Sequence, residues 1–469
     1  MGKNVWVDAK QKKVKAIDTF AKEYCGFLDA GKTERECTDY IVNAIEKEGY
    51  VELNRVMAEG KKLQAGDKVY AVNMNKSVIM FNIGKKPLDE GMNILGAHID
   101  SPRLDLKSNP LYEDTELAYF DTHYYGGVKK YQWVTLPLAL HGVVIKKDGS
   151  TVEINIGEDE DDPVFFISDL LIHLASDQME KKASKVIEGE QLDVIIGSMP
   201  LNAGKNDKDN KEVLENKEAV KANILKILKD NYDIEEEDFH SAEIEVVPAG
   251  RAREAGFDRS MILAYGHDDR VCAFPSFKAM LEVQEPERTA CCILVDKEEI
   301  GSVGATGMRS LFFENVVAEI INLCGDYSDL LLRRCLANSN MLSSDVSSAY
   351  DPTFAANFDK KNTNKLGHGI VLEKYTGARG KSGSNDANAE YLAKLRDIFA
   401  GENVTYQTGE LGKVDVGGGG TIAYILALYG MNVTDCGVPV LNMHAPWECI
   451  SKADLYEAKC GYVAFLKNA

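Results

Sequence analysis

The sequence predicts an α/β protein: a mixed sheet sandwiched between helices, carrying an inserted, mainly β segment. Three observations predict it. Short Val- and Ile-rich runs between residues 68 and 100 read as strands, separated by Lys, Gly and Pro. Apolar runs and helical patterns alternate again after Val247, as in a sheet layered with helices. The stretch between has another texture, with hairpin signals and a polar tract. These observations set the expected domains: 1–104 with 246–469 as one, and 105–245 as the insertion.

Taken in order, Val14 to Leu28 carries apolar positions at helical spacing. Thr33-Glu34-Arg35-Glu36 is a capping-box pattern, in which Thr33 caps a helix and Glu36 reaches back; that helix is expected to run to Lys47 and stop at Gly49. KVYAVNMN, SVIMFNIG and MNILGAHID follow as strands, the last delivering His98 and Asp100 at its carboxyl end, where ligand sites gather in open α/β sheets. Within the insertion, LHGVVIKKDGSTVEINIG reads as a hairpin turning at Asp148-Gly149, NAGKNDKDNKEV as a mobile loop and AVKANILKILKDNY as a helix. Beyond it, ACCILVDKEEIGS is an apolar run ending in acids, with Cys291 and Cys292 adjacent in a buried strand. VVAEIINLC is helical, GKVDVGGGGTIAYILALYG is a glycine-rich turn entering a helix, and VPVLNMHAPWE is a strand ending at His444.

Composition narrows the function. The 469 residues carry a formal charge of -20, a field that repels nucleic-acid phosphates and anionic membrane surfaces. No run reaches the roughly 20 apolar residues of a membrane span. The N-terminal stretch has basic residues without an apolar run and small-residue cleavage site, so no secretory signal is expected. Ten scattered cysteines without a C-x-x-C pair fit reduced thiols of a cytoplasmic protein.

Five apolar segments lead into acids or histidines: Gly96 to Asp100, Gly266 to Arg270, Asp296 to Glu299, Ser343 to Asp345, and Asn442 to His444. One such segment means little, since acids after a strand are usually solvated. Five together, three with histidines, supply the nitrogen and oxygen ligands of a catalytic zinc. Paired dications, held about 3.5–4 Å apart in such sites, repel, and a shared carboxylate offsets the repulsion. A further carboxylate must take a proton from the attacking water. Adjacent Glu298 and Glu299 can divide those duties.

GAHIDSPRLDLK, YGHDDR, VDKEEIGSVGATG, SSDVSSAYDP, VGGGGTIA and VLNMHAP resemble, in order, the motifs of the aspartyl aminopeptidase and aminopeptidase I family of dinuclear-zinc exopeptidases. The resemblance spans both sides of the insertion. It implies a zinc-peptidase-like catalytic domain with an inserted dimerisation domain. It also implies a metallo-aminopeptidase that removes the N-terminal residue from short peptides with two-metal-activated water and a glutamate general base. His98, Asp345 and His444 resemble terminal metal ligands, Asp268 the bridging carboxylate, Glu298 the base and Glu299 a terminal ligand beside it. Asp100 resembles the acid that orients the ligand histidine, and a cis peptide between Asp268 and Asp269 is implied. Two divalent ions are expected, zinc first, with manganese or cobalt also suited to such ligands.

The resemblance assigns Gly419 and Gly420, in the Gly417–Gly420 run, to exposed backbone near the substrate. The run lacks the G-x-x-x-x-G-K-[ST] pattern of a nucleotide loop. His173, in SDLLIHLASD, resembles a histidine that reaches a neighbouring subunit's active site, and the family's assemblies imply a homo-oligomer of dimers or dodecamers. His123, His141, His240 and His368 read as ordinary structural histidines, and His267 as facing away from the site. The stretch GIVLEKYTGARGKSGSNDANAE, with Glu373, Lys374, Arg379 and Lys381, is expected to contribute to the pocket for the substrate's first residue; acidic, basic and broad preferences stay open. Two other functions share the residues: a carboxypeptidase or deacylase using the same metals, and a non-catalytic assembly protein that has kept the fold.

Overall fold

A computed structural model describes residues 3–201 and 218–469, so the whole tract read as a mobile loop lies outside the described residues. The chain forms two compact units: Met1–Ser101, Ala252–Met443 and Trp447–Ala469 make the first, and Pro102–Arg251 with His444–Pro446 the second.

The first unit is built on a nine-stranded sheet. Its strands are β1 (Val51–Glu52), β2 (Lys68–Asn73), β3 (Ser77–Asn82), β4 (Asn93–His98), β5 (Ala290–Val295), β6 (Asn340–Ser343), β7 (Ile370–Glu373), β8 (Tyr406–Thr408) and β9 (Asn432–Gly437). The spatial order is β1-β2-β3-β5-β4-β6-β9-β7-β8. The four middle strands, β5, β4, β6 and β9, are parallel, while β3 and β7 flank them antiparallel. Parallel strands covered on both faces read as unbroken apolar runs rather than alternating ones. ACCILV of β5 shows why, because every residue is buried. Ala290, Cys292 and Leu294 join one core, and Cys291, Ile293 and Val295 the other. The two neighbouring thiols therefore point to opposite faces, as the period of two requires.

Helices Gln11–Ala30, His267–Glu282 and Lys452–Asn468 supply the first core with Phe20, Tyr24, Phe27, Phe274, Phe277 and Phe465. Phe312–Cys324 and Asp329–Ala337 cover the opposite face through Phe313, Ile320, Leu332 and Leu336. The capping box forms: Glu36 N–H donates to Thr33 Oγ1 at 3.2 Å and Thr33 N–H to Glu36 Oε2 at 3.0 Å, starting the helix Glu34–Lys47. A smaller five-stranded sheet includes Met261–Ala264, Pro439–Leu441 and Glu448–Ser451. The strand expected to reach His444 stops at Leu441, because Asn442 takes φ 63° and His444 φ 64°, left-handed conformations that cannot continue a strand.

The second unit centres on a six-stranded antiparallel sheet. It contains the hairpin of Leu138–Ile145 and Thr151–Ile156, and the helix Ala219–Tyr232 belongs to the same unit.

Candidate metal centre

Three parallel strands end at one rim and bring their polar residues together. Val295 of β5 is in register with His98 of β4, and Ser343 of β6 with Gly96. His98 thus closes β4, Glu298 and Glu299 follow three and four residues beyond Val295, and Asp345 follows two beyond Ser343. Asp268 arrives from the start of the helix His267–Glu282, in non-helical backbone, and its peptide bond to Asp269 is cis.

Ligand atoms of His98, Asp268 and Glu299 lie within 4.8 Å of one another, as do those of His98, Glu298 and Asp345. The His98 Nε2 atom is 3.2 Å from Asp268 Oδ1, 3.9 Å from Asp345 Oδ1 and 4.0 Å from Glu298 Oε2. Its other nitrogen, Nδ1, lies 3.0 Å from the Asp100 carbonyl oxygen and 3.2 Å from Asp100 Oδ1. Asp100 is fully buried and spans the next strand's turn, accepting from Glu298 N–H at Oδ1 and Glu299 N–H at Oδ2, each at 3.2 Å.

The electrostatics follow from crowding acids away from water. Burial pushes the Asp345 carboxyl well above its ordinary range, and Asp269, Glu298 and Asp268 push it further. Burial alone would depress the His98 imidazole, but Asp100 and Asp268 more than offset it and hold it well above its usual value. Burial raises Asp296 to about 6, with Glu34 and Asp100 adding to it. One imidazole and four carboxylates gathered on this scale could hold a divalent cation, and a cation there would offset the like-charge repulsion on Asp345. The residues fit the metal on that chemistry.

Asp268 is held from several directions. Its N–H donates to Glu448 Oε2 at 2.9 Å, and Ser101 Oγ donates to its carbonyl at 2.6 Å. The preceding His267 is fully buried and turned into the core: Nε2 faces the Ile262 carbonyl at 3.1 Å, leaving Nδ1 to accept from the Tyr24 hydroxyl at 2.8 Å. Burial drops its pKa to about 3, so the ring is neutral. Sequence reading missed Tyr24, Ser101 and Glu448; they lie 243, 167 and 180 residues from the positions they support, and no local pattern marks them.

His444 is in neither cluster. Its segment packs in the second unit, where Nδ1 lies 2.8 Å from the Gly127 carbonyl oxygen. His173 is exposed in the short turn Ile172–Leu174 of that unit. Gly419 and Gly420 are exposed in the first unit, ahead of Thr421, whose hydroxyl donates to Asp435 Oδ1 at 2.6 Å. At Gly418 φ is 141°, and a Cβ would lie 2.3 Å from the Gly377 oxygen, so the run closes on the 377 loop only as glycine. Arg379 and Lys381 line a cavity of about 240 Å³ with Tyr375, Glu410 and Lys413. Glu373 does not line that cavity: it is 4% exposed on β7 and turned toward Ser347 and Asn364. Its strand's inner face claims the side chain.

The chain is similar to known proteins over nearly its whole length. The model of the family described as aminopeptidase I zinc metalloprotease (M18) matches residues 27–466. A probable M18 family aminopeptidase 1 from Clostridium acetobutylicum is 60% identical over 466 residues, 99% of this chain and 98% of that one. The crystal structure of aminopeptidase I from the same organism superposes with TM-score 0.90 at 58% identity, covering 99% of both chains. That of an M18 aminopeptidase from Thermotoga maritima superposes with TM-score 0.92 at 44% identity, covering all of both chains.

Proposed function

We infer the reaction from one premise: the chain belongs to the aminopeptidase I zinc metalloprotease (M18) family and is a zinc-dependent aminopeptidase, a hydrolase. We propose that it removes the first residue of short peptides at the His98 centre, using two divalent ions per subunit. The observation that carries this reading is the pair of ligand clusters that share His98 at one sheet rim.

His98 and Asp345 would serve as terminal ligands, Glu299 as a third, and Asp268 as the carboxylate between the ions. On the sequence resemblance alone, His444 would be the remaining ligand. Zinc is the ion the family uses, and manganese or cobalt would suit the same nitrogen and oxygen donors. When bound, the ions supply Lewis acidity, polarising the scissile carbonyl and lowering the pKa of water. Glu298 takes the proton as the water oxygen bonds to the carbonyl carbon, then passes it to the amine nitrogen as the C–N bond breaks. Asp100 orients His98 through Nδ1 and holds the Glu298–Glu299 backbone. Gly419 and Gly420 would offer backbone to the substrate.

The same reading extends to assembly. Val164, Phe166, Leu170, Leu171, Ile172 and Leu174 stand exposed along one segment of the second unit, Ile172 and Leu174 at 70% and 68%. Such an apolar run is usually covered by a partner. We assign it to a homo-oligomer, dimers built toward a dodecamer, in which His173 reaches a neighbour's site; 105–245 would be the dimerisation domain and 1–104 with 246–469 the catalytic one. All ten cysteines are free, which fits a reducing cytoplasm. No helix among the described residues is long and apolar enough to cross a membrane.

An aminoacyl anilide assayed against its N-acetylated form, with zinc, manganese and cobalt in turn, tests the proposal. The free amine should be cleaved and the blocked form spared. Turnover of the blocked form would point to a deacylase, and no turnover of either with metal bound would point to a non-catalytic protein.

A further inference from the structure

Two residues beyond Asp345 the chain enters the short strand Ser347–Ser348. The Ser347 hydroxyl, 1% exposed, donates to Glu373 Oε1. Asn364, fully buried, donates through Nδ2 to Ser347 Oγ at 2.6 Å and to Glu373 Oε1 at 3.2 Å. The Ser347 N–H donates to the Val438 carbonyl at 3.0 Å. On its other side the loop is fixed by close packing: a Cβ on Gly437 would fall 1.7 Å from the Asp345 carbonyl oxygen. The segment carrying Asp345 is therefore clamped between the β9 backbone and a buried trio of polar side chains. No cation pairs with Glu373 among the described residues.

We propose that Glu373 is a positioning residue for the metal site: with Ser347 and Asn364 it fixes the segment that presents Asp345, so zinc affinity depends on a side chain that does not touch the ion. The inference rests on reading Asp345 as a ligand. The titratable groups that face Glu373 are Asp435 and Cys436 from β9 and Glu410 beyond β8. Burial pushes its carboxyl up to about 8, and Asp435 and Glu410 add to this while Ser347 and Asn364 oppose it. At neutral pH the trio is uncharged, and glutamine is its close mimic. Ionisation in alkali would place a charge beside Asp435, with no cation to answer it, and would loosen the clamp.

The test is a zinc titration of the full chain stripped of metal, using a competing chromophoric chelator. E373A and D345N should each weaken binding at least about tenfold at neutral pH, the scale of lost outer-shell support. E373Q should bind as the unmutated chain does, and hold zinc increasingly better than it as the pH rises from about 7 to about 9. Normal binding by E373A, with D345N weakened, would overturn the positioning role. Normal binding by D345N would instead remove Asp345 from the ligand set. If E373A does not fold, the E373Q series decides: a constant affinity ratio to the unmutated chain across that range would overturn the proposal.

Discussion

The carboxylate of Asp100 holds the backbone of Glu298, accepting its N–H at 3.2 Å through the same oxygen that lies 3.2 Å from His98 Nδ1. One side chain thus sets both the His98 imidazole and the turn carrying Glu298, the proposed general base. Asp100→Asn would put an amide where at least one of these donors now finds an oxygen. Zinc affinity or kcat/KM should fall roughly 10–100-fold. Unchanged values for both would show that the pair is only structural.

Glu298→Gln removes the proposed proton acceptor and keeps the shape. The variant should retain its metal by elemental analysis while kcat drops on the order of 10²–10⁴-fold. Near-normal turnover would take Glu298 out of the base role.

Gly437 tests the packing behind Asp345. The methyl of Gly437→Ala would fall 1.7 Å from the Asp345 oxygen, and backbone has to move. A cost of at least about 1–3 kcal/mol in urea unfolding is expected, with weaker zinc binding. Wild-type behaviour in both assays would contradict the close approach.

Glu373 gives a pH dependence of stability. Its carboxyl titrates near 4.5 when exposed and near 8 in the fold. Below the lower value both states hold the proton; between the two only the folded state does. Stability from this group therefore falls as pH rises through that window, by up to about 1.4 kcal/mol per pH unit, and the loss is complete above about 8. E373Q lacks the titration, so its unfolding free energy should gain on the unmutated chain across the window. Parallel pH curves for the two proteins would refute the assignment.

What the sequence displayed was set by short-range physics. Apolar runs such as ACCILV announced strands because both their faces are buried, and Thr33 with Glu36 announced a helix start because the cap is local. The polar residues at the strand ends were visible too, and the structure gathers His98, Asp268, Glu298, Glu299 and Asp345. What stayed hidden depends on distant contacts. Tyr24 meets His267 across 243 positions, and Glu448 reaches the Asp268 amide across 180. Glu373 stood in a basic, glycine-rich stretch expected to contribute to a substrate pocket; only the strand pairing that sets it opposite Asp435 shows it to be interior. The end of the strand at Leu441 was likewise hidden, since asparagine and histidine adopt left-handed backbone without any sequence mark.

The common alignment of β5, β4 and β6 makes the sheet a ruler. His98 closes β4, and Glu298, Glu299 and Asp345 stand a fixed number of residues past the last paired positions of β5 and β6, so a slip of one residue would turn such a strand's side chains to the opposite face. A single-residue insertion inside β4 would therefore cost the whole centre. The same insertion at the Asp148-Gly149 bend would lengthen only a surface turn. Length variation in this chain should accumulate at such bends and be purged from the three strands.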